Sequence, residues 1–153
     1  MSEAFLRLQY ARDDDGTGKL RALVAAGHFA GCGEAYFSDG EIIRFANTLA
    51  QFPIPTDPRP QLASGFWKQD DAGGLNQEHV SISAYPIGVR GYVGLQIRLA
   101  DESWPHDRPE QQRRIQVEVV TTYQPLARFS RQLLALAAGS TAEALLEGDL
   151  RPT

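Results

Sequence analysis

At 153 residues the chain is long enough for one core that folds without staples. With 42% apolar and 22% charged side chains, it falls outside the composition of disordered sequences. The formal net charge is −4, with six basic and eight acidic side chains over residues 1–60 and nine and eleven over the rest, so there is no basic arm or acidic tail and nucleic acid is not the expected partner.

In chain order, Ala4–Tyr10 puts Leu6, Leu8 and Tyr10 on one side, the period of a half-buried strand. Asp13-Asp14-Asp15-Gly16-Thr17-Gly18 is a turn cluster, and Leu20–Ala26 completes a hairpin. Gly27–Gly33 holds three glycines and breaks regular structure, before a short third strand at Glu34–Phe37. Ser38 followed by Glu41 fits a capping box. Ile42, Phe45, Leu49 and Phe52 then form the apolar face of a helix that Pro53 stops. Pro53, Pro55, Pro58 and Pro60 make a stiff extended connector.

Leu62–Trp67 reads as a strand ended by Asp70-Asp71-Ala72-Gly73-Gly74. His79–Tyr85 and Val89–Ala100 read as a strand pair around Pro86-Ile87-Gly88, with Gly91, Val93, Leu95, Ile97 and Leu99 on one face. Asp101–Arg113 is a polar loop. Ile115, Val117, Val119 and Thr121 share a strand face, and Leu126, Phe129, Leu133 and Leu136 the face of a second helix, which Gly139 ends. Ser140 with Glu143 would cap a short final helix, Thr141–Glu147. Phe45, Leu49 and Phe52 echo Phe129, Leu133 and Leu136 in spacing, a pattern that either duplication or convergence produces.

These elements predict one α+β domain over residues 1–153: a single antiparallel sheet of about six to seven strands, two main helices packed on one face, and a short C-terminal helix. Strands arrive in runs rather than alternating with helices, which argues against a doubly wound parallel sheet.

Cys32 is the only cysteine, so no intrachain disulfide forms. Met1–Tyr10 lacks the basic start and apolar stretch of an export signal, and no run approaches the ~20 apolar residues of a membrane helix. The expected setting is a reducing cytosol, away from membranes. His28, His79 and His106 belong to no zinc-binding pattern, so neither a metal nor another cofactor is expected. Glu78 and His79 point to opposite strand faces and read as surface groups. Gly27–Gly33 lacks the spacing and the lysine of a phosphate-binding loop, and a bulge or sharp turn is the simpler account.

Two groups of candidate site residues stand out. The first is Trp104, His106 and Arg108 in the polar loop, together with Trp67: tryptophan and arginine are the usual anchors of protein interfaces. Trp104 either anchors a partner or folds back onto the sheet. The second is His28, Cys32 and Glu34, the residue types for thiol chemistry if they converge in a cleft.

The ordered pattern Gly27-His28-Phe29-Ala30-Gly31-Cys32-Gly33-Glu34-Ala35-Tyr36, then Phe45, Leu49, Phe52 and Pro53, resembles the small bacterial WapI-type immunity proteins and their uncharacterised relatives. Leu62-Ala63-Ser64-Gly65, Val80–Ala84, Gly91–Ile97 and the last strand and helix through Leu136 follow in the same order, so the likeness spans about Leu20 to Ala138. It implies a non-catalytic protein that binds and neutralises a partner toxin, with no catalytic residues to carry over. A mildly acidic inhibitor would suit a basic nuclease-type toxin. The competing readings are a small enzyme or ligand-binding protein built around Gly27–Gly33, and a structural homodimer.

Overall fold

A computed structural model describes residues 3–69 and 73–153. Its elements are β1 (Ala4–Arg12), β2 (Thr17–Ala26), β3 (Phe29–Ser38), α1 (Asp39–Leu49), β4 (Gln61–Trp67), β5 (Leu75–Ile87), β6 (Tyr92–Ala100), a single 3-10 turn (Pro109–Gln111), β7 (Arg114–Thr122), α2 (Tyr123–Ala137) and β8 (Glu143–Gly148). Asp70, Asp71 and Ala72 of the expected turn lie outside the described residues.

The strands form two antiparallel four-stranded sheets, ordered β3-β2-β1-β8 and β4-β5-β6-β7, which corrects the expectation of one sheet of six or seven strands. Leu6, Leu8, Val93, Leu95, Ile97 and Val119, each expected on an apolar strand face, are buried in one core. An apolar strand face, however, does not say whether it meets helices or a second sheet. Here it meets both, because α1 touches β3 and β4 while α2 touches β1, β7 and β8, so each helix contacts strands of both sheets.

β3 crosses the second sheet strand by strand. Ser64 Oγ on β4 donates to the Tyr36 carbonyl at 2.6 Å. A Cβ on Gly33 would lie 3.1 Å from both the His79 carbonyl on β5 and Leu99 Cβ on β6, and one on Gly31 would lie 2.7 Å from Ile115 Cγ2 on β7. Those two glycines therefore sit inside a strand and permit close orthogonal packing. Only Gly27, at φ 60°, serves the expected sharp turn.

The faint echo between the helices is the trace of an internal two-fold. Ser130 Oγ donates to the Ala46 carbonyl at 2.6 Å across 84 residues. The N-caps Ser38 and Thr122, and the buried Ile42 and Leu126, Phe45 and Phe129, and Leu49 and Leu133, share that separation. So do Gly31 and Ile115 at the strand crossing. Equivalent residues that touch each other mark the axis. The plan of β1-β2-β3-α1-β4 is repeated by β5-β6-β7-α2-β8, and the last strand of each unit pairs with the first strand of the other.

The helix ends explain two further corrections. The α1 capping box is present, with Glu41 N–H donating to Ser38 Oγ at 3.1 Å and Ser38 N–H donating to Glu41 Oε1 at 3.0 Å. Its apolar face stops at Leu49, and Phe52 beyond it is 80% exposed, resting edge-on against Tyr123 at 4.8 Å. Gly139, at φ 77°, closes α2 in a Schellman turn: its N–H reaches the Leu136 carbonyl at 3.2 Å and Ser140 N–H that of Ala135 at 2.9 Å. Ser140 is thus the end of one helix rather than the cap of the next. The expected final helix is instead β8, whose Ala144 and Leu146 alternate into the core opposite Leu8 and Leu6, while Glu143 pairs with Arg7 at 3.1 Å.

Candidate functional site: the cleft under the Trp104 loop

The internal two-fold fails most visibly at one connection. β2 and β3 are joined through Gly27 and His28, whereas β6 and β7 are joined by the Asp101–Arg113 loop. This loop is folded rather than loose. Asp101 N–H donates to the Arg113 carbonyl at 3.0 Å, and Arg113 returns its backbone N–H and its Nε to the Asp101 carboxylate at 3.1 and 2.8 Å. The guanidinium holds the Asp101 carboxyl below its ordinary pKa. At the tip, Trp104 N–H donates to Asp107 Oδ2 and Asp107 N–H to the Trp104 carbonyl, each at 2.9 Å.

The loop is also tied to the sheet. Gln77 Nε2 donates to the Ser103 carbonyl at 2.5 Å, and Ser103 N–H donates to Gln77 Oε1 at 3.1 Å. The same Gln77 oxygen lies 3.0 Å from His79 Nε2. A bulge produces this alignment: the β4–β5 register shifts between Ser64 and Gly65, so Gly65 faces Glu78 and His79 becomes the extra residue. Only glycine fits there, since a Cβ would lie 2.1 Å from the Gln77 carbonyl oxygen. His79 is consequently 2% exposed, which corrects the reading of it as a surface histidine. Burial pushes its pKa below the ordinary value. Its ring meets Phe66 edge-on at 4.6 Å, and Phe66 meets Trp104 at 5.0 Å.

Trp104 therefore does both things weighed from the sequence. It folds back onto Phe66, yet half of its surface stays exposed. Tyr36, Trp67 and Trp104 are three of the large exposed hydrophobic side chains, and all three line one open cleft of about 1270 Å³ with Phe66, Lys68 and Asn76. The structure thus brings Trp67 to Trp104. His106 projects from the loop beside Asp107 at 3.6 Å, and Arg108 directly precedes the 3-10 turn; neither lines this cleft.

On the other side of Trp104 lies a polar groove of about 830 Å³ that includes Cys32 and Glu34. Cys32 is exposed and accepts a hydrogen bond from Arg21 Nε at 3.2 Å, and Glu34 pairs with Lys19 at 3.1 Å. His28 is apart from them in the β2–β3 turn, roughly 13 Å along the strand from Cys32 at ~3.3 Å per residue. Among the described residues no three His, Cys, Asp or Glu side chains are placed to share a metal ion.

Sequence reasoning missed Tyr36, Phe66 and Gln77 as parts of the site. Gly65 ahead of Phe66-Trp67 carried a usable signal, because a lone glycine in a strand marks a bulge. Nothing local marked Gln77, whose role depends on the distant Ser103. No helix is long and apolar enough to cross a membrane among the described residues. No protein-family model, no curated protein and no solved structure matches the chain.

Proposed function

We propose that this chain is a binding protein without chemistry of its own, and that it grips a partner protein at the cleft under the Trp104 loop. One observation carries the reading: Tyr36, Trp67 and Trp104 gather half-exposed around a single cleft. Large, stiff aromatic side chains lose little entropy on binding and dominate interface energetics. The hydrogen bonds that Gln77 donates to Ser103 and that Asp101 accepts from Arg113 order the loop before any partner arrives, which lowers the entropic cost of association. The likeness to WapI-type immunity proteins makes a bacterial toxin domain the first partner to try.

The test is co-expression with each toxin encoded beside the gene, using wild type and Trp104→Ala. Protection by the wild type, lost in a Trp104→Ala protein of unchanged melting temperature, is the expected result. Protection that survives the substitution would remove the cleft from the interface. Failure to protect against any such toxin would remove the immunity reading. Sedimentation of both proteins tests the homodimer alternative: a dimer that Trp104→Ala converts to monomer would make the partner a second copy of this chain.

A further inference from the structure

The aromatic cleft continues past the loop. Asn76, Gln77 and Ser103 line it and also a neighbouring cleft of about 710 Å³, so the two adjoin at the end of the second sheet and are together termed the trough. The far end differs in chemistry. Its charged side chains are Arg98, Arg114 and Glu78. Arg98 and Glu78 pair with each other at 3.0 Å. Arg114 turns its Nε and Nη2 to the neutral Gln112 Oε1, at 3.0 and 2.6 Å, and no carboxylate among the described residues forms an ion pair with it. A chain of net charge −4 thus carries an excess positive charge at this end of the trough. Between the ends, Asn76 offers a side-chain amide, both donor and acceptor, as a peptide backbone requires.

We infer that the trough takes an extended peptide segment of the partner, which seats a large apolar or aromatic side chain between Trp67 and Trp104 and a carboxylate on Arg114. A compact anion would use only the arginine end, and a lone aromatic ligand only the other. An extended chain reaches both, and its main-chain groups match the Asn76 amide between them. The local charge, not the net charge of the protein, selects the acidic residue. This inference rests on the binding reading above and deepens it.

The probe is a phage-displayed library of random dodecapeptides, panned on the intact protein, followed by synthesis of the enriched peptides. Enriched sequences should combine an aromatic residue with Asp or Glu. Arg114→Gln should weaken their binding about tenfold, the scale of one charged hydrogen bond. Trp104→Ala should weaken it at least as much. Replacing the acidic residue of the peptide with its amide should cost little further affinity in Arg114→Gln, the coupling expected of a direct pair. Arg114 is exposed, so unchanged melting of Arg114→Gln confirms that folding is not at issue. No enrichment, or peptides indifferent to Arg114→Gln, would overturn the acidic-segment proposal while leaving a Trp104-dependent partner possible. Partner binding indifferent to Trp104→Ala as well would overturn the cleft itself.

Discussion

Between β2 and β3 the chain turns at Gly27 and His28, while at the equivalent place between β6 and β7 it runs out through Asp101–Arg113 and carries Trp104 over Phe66. The seams between the sheets differ in the same direction. Val120 and Asp149 exchange two backbone hydrogen bonds of 2.8 Å and close the β7–β8 seam. Tyr36, the counterpart of Val120, accepts only a side-chain bond from Ser64 across the β3–β4 seam, and the aromatic cleft opens there. The shared positions are those the core needs, namely helix faces, strand crossings and caps. The differences lie where no core residue constrains them, which is where binding residues tend to gather.

Substitutions at equivalent positions test this comparison. Phe45 and Phe129 occupy matched, fully enclosed sites, so Phe45→Ala and Phe129→Ala should each cost about 3–5 kcal/mol in chemical denaturation. A cost confined to one of them would mean that the two halves do not contribute alike. At the strand crossing, Gly31→Val forces methyl groups into Ile115 and should cost about 1–3 kcal/mol. Adding Ile115→Ala should return part of that loss, and strictly additive effects would show that the two residues do not crowd each other.

The helix starts give a smaller contrast. Ser38→Ala removes a capping bond and should cost about 1 kcal/mol. Thr122→Ala should cost at most a few tenths of that scale, because the Thr122 side chain makes no cap bond. Equal losses would contradict the geometry.

The smallest expected effect is the pH response of the bulge. The folded protein holds His79 below its ordinary pKa, so the unfolded chain takes up more protons in that window. Stability contributed by neutral His79 is present above the unfolded value and declines as pH falls through it toward the folded one. His79→Phe should flatten the stability profile between pH 7 and 5. An unchanged slope would assign the pH response to other groups, among them Asp39, whose carboxyl is depressed by hydrogen bonds from Arg12 and Tyr10 and whose contribution is lost only at more acid pH.

What could be read locally was read from periodicity and cap chemistry: the inward faces at Leu6 and Leu8 and at Leu95 and Ile97, the capping box at Ser38 and the helix stop at Gly139. Such signals span a few residues and do not depend on where the strand or helix is placed. Ser140 and Glu143 show their weakness, since the spacing fits a cap but the backbone of β8 finds its partner in β1, more than a hundred residues away in sequence. Partner choice between strands, the crossing that requires Gly31 and Gly33, and the bulge that buries His79 all arise from contacts between distant segments. The cleft belongs to the same class. Trp67 and Trp104 are candidate anchors on the sequence alone, but their lining of one cleft, with Trp104 packed on Phe66, follows from the long-range bonds of Gln77 to Ser103, and no local pattern encodes a contact between a strand and a loop that lies far along the chain.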